Sequence, residues 1–373
     1  MKKFLPALCL LLCVVGFNVA DHAVGTEFAV PGASAQQPQM TAAPDGTLYL
    51  VYGAAHTIYC VVSSDGGNSF GLPVALEAGG MLMLGRHRGP RVAATSDAVM
   101  ITAIVGKRGG GQDGNLLGWR STDHGKTWGA PKVLNDVTDA AREGLHGFAA
   151  GPGDVLFAVW LDLRREGSAE GGTKLYGTIS RDGGKSWEKN IRVYASPDGT
   201  ICQCCHPSVT IDVRGVLHVM WRNALRGSRD LYYISSVDGG KTFASAQKLG
   251  HGTWPLDACP MDGGEITTTR NGTIDSVWRR KEEILVSSPG KEEEKALGQG
   301  RNPVIAYGTK GRYVAWDDAT TKQAVLLGPG TSKPVPLGRQ SQFVDLASPD
   351  GKVVAAWEEI RGEQKVVRVQ ALN

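Results

Sequence analysis

The sequence has little of what marks a nucleic-acid-binding or nucleotide-binding protein. Its 40 Lys and Arg are nearly balanced by 37 Asp and Glu, which gives a formal net charge of +3 at pH 7. It has no basic stripe, no phosphate-binding Walker loop and no dinucleotide-binding glycine fingerprint. A long apolar run occurs only at the N-terminus, and no stretch shows a convincing helical period. We therefore expect no nucleic-acid partner, no membrane span in the mature chain and no helical fold.

The N-terminus has the pattern of a Sec-type signal peptide. Lys2 and Lys3 precede an apolar run over residues 4–17, and small residues follow near Ala20. The run is short for a membrane span and polar sequence follows it. We expect residues 1–20 to be a signal peptide, with Ala35 as a second cleavage option and an uncleaved anchor as the alternative. Residues 21–373 then form one exported domain, periplasmic or extracellular.

Glycine is abundant, with 50 residues, and seven of them lie in a motif that occurs four times. Residues 63–70, 121–128, 180–187 and 236–243 each combine Ser, Asp and Gly and end in Trp or Phe. In such a turn the Asp accepts hydrogen bonds from backbone N–H groups, and Gly supplies positive φ. The terminal ring buries a large apolar face. We therefore predict structural roles for the four aspartates, which are spaced 58, 59 and 56 residues apart: Asp65, Asp123, Asp182 and Asp238.

This spacing resembles the Asp-box, or BNR repeat, of the sialidase (neuraminidase) superfamily. Between the motifs lie short β-type runs, and the second run of a unit often ends in Trp. We count seven units, which begin near Pro38, Pro90, His146, Pro207, Pro260, Pro303 and Phe343. Repeated four-stranded units of this length predict an all-β propeller with antiparallel blades. We predict seven blades, with six, the usual sialidase number, as the alternative. A strand near residues 26–30 is expected to close the ring.

Propeller geometry places the starts of first strands and the ends of second strands on one face, around the central channel. The resemblance implies that three arginines bind a substrate carboxylate, because a guanidinium pairs with a carboxylate through two hydrogen bonds. Arg88 and Arg301, each two residues before a proline, are similar to the first sialidase arginine, and Arg222 is the third candidate. Asp162 and Glu143 have suitable chemistry for catalysis, but no tyrosine nucleophile can be placed. A salt bridge between blades is an equal alternative for each arginine.

A second chemistry competes for the same face. After loss of the leader five cysteines remain, so at least one is free, ligating or intermolecular. Four of them fall at the starts of neighbouring units, with His and Met nearby, and these residues suit a soft ion, copper first and zinc second. The candidate ligands are Cys202, Cys204, Cys205, His206, Cys259 and Met261, with His146 as an addition. Disulfides, such as Cys202 to Cys259 or a vicinal Cys204–Cys205 pair, are the structural alternative, and Cys60 is expected to be a buried hydrophobe.

The leading hypothesis is an exported sialidase-like propeller that binds an anionic glycan at the central face. Whether it also hydrolyses that glycan, as an exo-sialidase does, stays open. One alternative is a non-hydrolytic propeller with a soft-metal or redox-active Cys/His/Met site. Another is a scaffold that binds an exported protein partner.

Overall fold

Strands and turns make up the fold. The computed structural model describes residues 25–165, 171–269 and 271–372, and the predicted signal peptide lies outside them. Within these ranges there is no α-helix, and the helical turns are two 3-10 segments, Leu225–Gly227 and Pro349–Gly351. No helix in the described part of the chain is long and apolar enough to cross a membrane.

The strands form antiparallel four-stranded units in chain order. Unit one is β2 (Gln36–Ala42), β3 (Leu48–Ala54), β4 (Thr57–Ser63) and β5 (Val74–Glu77). Unit two is β7 (Arg91–Ala94), β8 (Val99–Gly106), β9 (Asn115–Ser121) and β10 (Lys132–Val133). The short strand β6 (Met81–Leu82) also pairs with β8. Unit three is β11 (His146–Gly151), β12 (Val155–Asp162), β13 (Lys174–Ser180) and β14 (Ile191–Tyr194), and unit four is β15 (Ser208–Ile211), β16 (Leu217–Arg222), β17 (Leu231–Ser236) and β18 (Gln247–Lys248).

The long strand β22 (Lys295–Gly308) belongs to two units. Its first half pairs with β21 (Glu283–Ser287), which follows β19 (Glu265–Thr268) and β20 (Ile274–Arg280) in unit five. Its second half pairs with β23 (Gly311–Asp318), and β24 (Ala324–Leu327) and β25 (Val335–Pro336) complete unit six. Unit seven is β26 (Ser341–Ala347), β27 (Val353–Arg361), β28 (Gln364–Leu372) and, from the other end of the chain, β1 (Thr26–Phe28).

An N-terminal strand closes the ring, as predicted. Strand β1 pairs antiparallel with β28, with Thr26 opposite Val369. The first strands touch in the cyclic order β2, β7, β11, β15, β19, β22, β26 and back to β2. This all-β architecture of four-stranded antiparallel sheets confirms the predicted fold class. The count of seven blades stays a prediction, and this closed cycle of contacts is what supports it.

Main-chain N–H groups on the inner edges of first strands donate hydrogen bonds to side chains of the preceding unit. Buried N–H groups on a strand edge need acceptors. The main-chain N–H of Val92 donates to Gln39 Oε1 (2.6 Å), and that of Ile305 donates to Glu265 Oε2 (2.6 Å). The N–H of Met40 donates to Asp345 Oδ2 (2.6 Å), which joins unit seven to unit one. Polar side chains in the channel therefore hold neighbouring units together.

Apolar residues fill the spaces between neighbouring units. One cluster joins units one and two, another joins units three and four, and a third joins units seven and one. The tryptophans that end the second strands are all buried: Trp160, Trp221, Trp278, Trp316 and Trp357. Their burial favours packing between blades over a sugar-stacking platform, because a stacking platform needs an open ring face.

The four Asp boxes lie where the third strand of a unit turns into the fourth. Asp182 Oδ1 accepts hydrogen bonds from Ser180 Oγ (2.8 Å) and Ser186 N (2.9 Å), and Oδ2 accepts one from Ser186 Oγ (2.6 Å). Asp65, Asp123 and Asp238 make the corresponding bonds in their own turns. Gly184 has φ +84° and a Cβ there would strike Met100 Sδ of unit two, so only glycine fits. These contacts explain the motif as a structural turn.

Candidate functional site

The first strands enclose a channel with a cavity of about 140 Å³ near the face where they begin. All seven units contribute one or more lining residues, among them Gln37, Arg91, Phe148, His206, Glu265, Val304 and Phe343. This face also holds the ends of the second strands, because first and second strands pair antiparallel, as in His146 opposite Trp160. The predicted candidates therefore share a face, which we call the channel mouth.

Three first strands carry the same irregularity at the mouth. Register shifts at the starts of β2 and β26, and in β22 where its second half begins, mark β-bulges, which re-aim side chains. In each bulge a non-glycine residue has positive φ: Gln37 at 55°, Asn302 at 56° and Phe343 at 51°. Residues in this conformation are strained and often cluster at functional sites. The mouth is therefore the best candidate for a binding site on this fold.

Two imidazoles fill the centre of the mouth. The rings of His87 and His206 stack with their centroids 4.1 Å apart, and Phe343 meets His87 edge-on at 5.3 Å. His87 Nε2 is hydrogen-bonded to Asn302 Oδ1 (2.8 Å), and His206 Nε2 to the main-chain oxygen of Gly264 (3.1 Å). Burial lowers the pKa of both histidines. Both rings are therefore neutral near pH 7.

Asp317 lies beside these rings at the end of β23. Its carboxylate accepts hydrogen bonds from Asn302 Nδ2 (2.6 Å) and the N–H of Phe343 (3.0 Å). Burial raises the pKa of Asp317 to about 7, and the nearby carboxylates of Glu358 and Asp262 act in the same direction. A carboxyl group that holds its proton near neutral pH can act as a general acid.

Glu358, the neighbouring carboxylate from unit seven, is fully engaged. It accepts hydrogen bonds from the N–H of Gln37 (2.8 Å), Gln37 Nε2 (2.9 Å) and Gln342 Nε2 (3.0 Å), and it pairs with Lys365 Nζ (2.7 Å). The group is 0% exposed. Its role at the mouth is to hold the bulge of unit one against unit seven.

Of the three predicted carboxylate-binding arginines, Arg222 is buried in the structure. Its side chain is 1% exposed, and its guanidinium donates to the main-chain oxygens of Asp262 (2.9 Å), Arg229 (2.6 Å) and Arg279 (2.9 Å). These bonds tie unit four to the loop before β19 and to the end of β20. The placement argues against the predicted role of Arg222 in binding a substrate.

Arg88 and Arg301 lie at the mouth in different states. Arg88 is half-buried, and its Nε donates to the main-chain oxygen of Glu143 (2.7 Å). Arg301 is exposed, and within the described residues no hydrogen bond or ion pair occupies its guanidinium. Arg86, next to His87, is exposed as well. The mouth thus presents cationic side chains above a buried network of acids.

The two predicted catalytic acids differ in access. Asp162 is 0% exposed and accepts hydrogen bonds from Trp160 Nε1 (2.8 Å) and from Arg164 N, Nε and Nη2 (2.8, 2.8 and 2.9 Å). Its carboxylate has no open side for a substrate, which argues against a catalytic role. Glu143 is half-buried, and burial raises its pKa while Arg88 lowers it. Glu143 stays a catalytic candidate.

The structure brings the predicted cysteine cluster together. The Sγ atoms of Cys202, Cys204 and Cys205 are separated by 3.4 Å (202–205), 3.6 Å (202–204) and 4.0 Å (204–205). All three are buried, and Met261 packs against them. In the described part of the chain these three form the group of potential metal-ligating atoms that lie within 4.8 Å of one another.

The disulfide differs from the examples that the sequence suggested. Cys204, rather than Cys202 or Cys205, is the partner in the disulfide to Cys259, with Cα atoms 6.0 Å apart. The sequence could not choose among these pairings because all three cysteines lie within four residues. Cys202 and Cys205 are free, and Cys60 is free and buried in β4, where burial raises its pKa to about 12. Cys60 therefore behaves as the buried hydrophobe that we expected.

The two histidines that the sequence assigned to the metal are not part of the sulfur group, and each has one ring nitrogen hydrogen-bonded. His206 contributes its ring to the stack with His87 and its Nε2 to Gly264. His146 is 1% exposed and its Nε2 is hydrogen-bonded to Thr102 Oγ1 (3.1 Å). The potential metal ligands at the sulfur cluster are therefore cysteine and methionine.

Sequence reasoning gave no role to Asn302 or Asp317, which lie at the centre of the mouth. Asp317 stands at the end of a second strand, a position that the propeller geometry assigns to this face. Asn302 lies between Arg301 and Pro303, inside a motif already singled out for its arginine. The neglected signal was the polar residue between Arg301 and Pro303, since the bulge turns that residue inward.

Comparisons with known proteins agree with this fold. Residues 88–271 match the family model described as a BNR repeat-like domain. This confirms the predicted resemblance to the Asp-box, sialidase-like propellers. No curated protein sequence matches the chain.

Solved structures resemble the chain over most of its length. An α-L-arabinanase from Penicillium chrysogenum complexed with arabinobiose has a TM-score of 0.55 at 14% identity, over 93% of this chain and 97% of that one. An α-L-arabinofuranosidase from Fusarium graminearum with an iminosugar inhibitor has a TM-score of 0.55 at 15% identity, over 94% and 97%. A leech intramolecular trans-sialidase has a TM-score of 0.51 at 13% identity, over 94% and 70%. At these identities the likeness shows the fold alone.

Proposed function

We propose that this chain is an exported sialidase-like propeller that binds an anionic glycan at the channel mouth. The observation that carries the proposal is Arg301, an exposed and unoccupied guanidinium beside the strained bulge at Asn302. A free guanidinium at a mouth is suited to a carboxylate, which it holds by two parallel hydrogen bonds. Arg86 and Arg88 add positive charge at the same face. The similar folds include enzymes that act on arabinans and sialosides.

We extend the proposal to glycoside hydrolysis with Asp317 as the proton donor. Its raised pKa, to about 7, keeps a proton available to a leaving oxygen at neutral pH. Glu143 is the candidate for the second carboxyl group. None of the nine tyrosines, all of which lie in the described part of the chain, lines the cavity. The double displacement through tyrosine that the sialidase resemblance implies therefore has no nucleophile at this position.

Binding is tested by calorimetric titration with sialyllactose and, as the uncharged comparison, lactose. We expect binding of sialyllactose only, weakened about tenfold or more in Arg301→Ala because a charged hydrogen-bonded pair contributes about 1.5–3 kcal/mol. Lys241→Ala is the matched control, since it removes one positive charge from an exposed Asp-box position at the other end of the blade. Equal affinity for both sugars, or no binding, would overturn the proposal.

Hydrolysis is tested by release of 4-methylumbelliferone from its sialoside. We expect turnover that falls as the pH rises through about 7 and that is lost in Asp317→Asn, while sialyllactose binding is retained. Binding without turnover in the unaltered protein would limit the function to glycan recognition.

A further inference from the structure

Four cysteines from two neighbouring units meet outside the channel. Cys202, Cys204 and Cys205 precede the first strand of unit four, and Cys259 precedes that of unit five. Three of the sulfurs lie 3.4–4.0 Å apart, and the fourth is bonded to one of them. No role at the glycan site uses these sulfurs.

We propose that reduction of the Cys204–Cys259 disulfide converts this cluster into a binding site for a monovalent copper ion. Thiolates bonded at about 2.3 Å around a tetrahedral metal lie about 3.8 Å from one another. The three separations in the structure bracket that value, so the sulfurs need little movement to share an ion. Reduction frees Cys204 and Cys259 and raises the number of available thiols from two to four.

The donor set favours Cu(I) over other ions. Thiolate and thioether ligands select soft ions, and here Met261 packs against three buried cysteines. His206 is turned to Gly264, and the carboxylate of Asp262 faces Asn302 and Arg279. Zinc also accepts four thiolates, but the sulfur-only surroundings with a thioether suit copper better.

The surroundings hold the sulfurs in place and balance their charge. The N–H of Cys202 donates to the main-chain oxygen of Arg222 (3.1 Å), while Arg222 Nε donates to the main-chain oxygen of Asp262 (2.9 Å). One buried residue therefore fixes both loops that carry the sulfurs. The N–H of Asp262 also points at Cys205 Sγ (3.4 Å), and the guanidinium of Arg222 supplies positive charge near the thiolates.

Copper binding and the disulfide compete for the sulfurs of Cys204 and Cys259. An external dithiol supplies two electrons and two protons to the Cys204–Cys259 bond and is itself oxidised to a disulfide, which leaves two thiols on the protein. Copper then enters already as Cu(I), each coordinating thiol releases its proton to water, and no electron passes to or from the metal. The oxidised cluster keeps only Cys202 and Cys205 as free thiols and binds the ion more weakly.

The experiment is anaerobic titration of purified mature protein with Cu(I) against a coloured chelator that competes for it. We expect one Cu(I) per reduced chain and at least a hundredfold weaker retention by the oxidised chain. Cys205→Ser should abolish tight binding of copper. Cys60→Ala removes a cysteine from β4 in unit one, far from the cluster in sequence, and should leave copper binding intact.

Two further measurements keep the proposal testable should Cys205→Ser fold poorly. Copper loading of the unaltered reduced protein should protect the four clustered cysteines, but not a denatured control, from alkylation. In equal amounts of Cu(I) and Zn(II), copper should be retained. Absence of copper binding by the reduced protein, equal binding by the oxidised protein, or preferential retention of zinc would each overturn the proposal.

Discussion

The imidazoles of His87 and His206 stack at 4.1 Å although they belong to units two and four, which unit three separates. Side chains from the ring therefore meet across the channel and fill its mouth. A proton on His87 would face Arg91 and a buried environment, with Asp262 and Glu358 as the nearby acids, and a proton on His206 would face His87 and Arg91. The centre of the mouth is therefore sensitive to acid.

His87→Phe should reduce the loss of stability on acidification. The pKa of His87 in the folded protein lies below its ordinary value of 6.5, chiefly because of burial, so the unfolded chain binds more protons below about pH 6.5. Stability from this residue is complete above that pH and is lost as the pH falls. Phe keeps the ring contacts, and urea unfolding at pH 7.5 and pH 5 should show a loss smaller by on the order of 1 kcal/mol. Equal losses would contradict the prediction.

Glu265→Gln should have the opposite pH signature. Burial raises the pKa of Glu265 to about 8, and nearby Asp345, whose own pKa is raised to about 7, adds to the shift. The folded state then holds a proton that the unfolded chain releases, so the wild type loses stability as the pH rises from about 4.5 to about 8. Gln still accepts the N–H of Ile305 without titrating. The stability of the variant relative to wild type should rise by on the order of 2 kcal/mol across that window.

Asp182→Ala should destabilise the turn of unit three only above acid pH. Hydrogen bonds from Ser186 and Ser180 lower the pKa of Asp182 to about 2. The stabilisation is present above about pH 4 and is lost as the pH falls through about 2. Because the group is exposed to solvent, we expect a cost of roughly 1 kcal/mol at pH 7. Urea unfolding at pH 7 and pH 2 measures it, and Lys185→Ala in the same turn should be nearly neutral.

The sequence was a good guide to the fold because the relevant signals are local. A Ser-Asp-Gly turn fixes its own backbone, and Asp182 bonds only within its octapeptide, so the four copies are recognisable from residue types and spacing and give the length of the repeat. Strand pairs ending in Trp then revealed the units without an Asp box, and the strand at Thr26 closed the ring as expected.

The site could not be predicted to the same degree because it depends on contacts between units. Arg222 and Arg301 were both predicted to bind a substrate carboxylate, yet one is buried under the loop before β19 and the other is exposed. Likewise, Asp317 owes its raised pKa to burial and to Glu358 and Asp262, which come from other units. No local pattern records such neighbours.

The cysteine pairing predicts the number of free thiols in the mature chain. Of the five cysteines expected in the mature chain, Cys60, Cys202 and Cys205 are free, so denaturation without reductant should expose three thiols, and reduction should expose five. Cys259→Ser opens a loop that spans 55 residues and should cost about 2–4 kcal/mol in urea unfolding. Under a dithiol reductant, variant and wild type should become equally stable. A difference that persists would assign the cost to something other than the disulfide.

Substitutions of Arg222 and Arg301 should distinguish an arginine that stabilises the fold from one that binds the ligand. Arg222→Met leaves three buried main-chain oxygens without their donor and removes the guanidinium 5.3 Å from the ring of Trp254, so we expect a loss of about 3 kcal/mol or more. Arg301→Ala removes an exposed side chain without such bonds and should change stability by less than about 0.5 kcal/mol. Urea unfolding measures both, and sialyllactose titration of Arg301→Ala completes the comparison. Comparable destabilisation by the two changes would mean that Arg301 also ties units together. That result would contradict the proposal that its guanidinium is free to bind a substrate carboxylate.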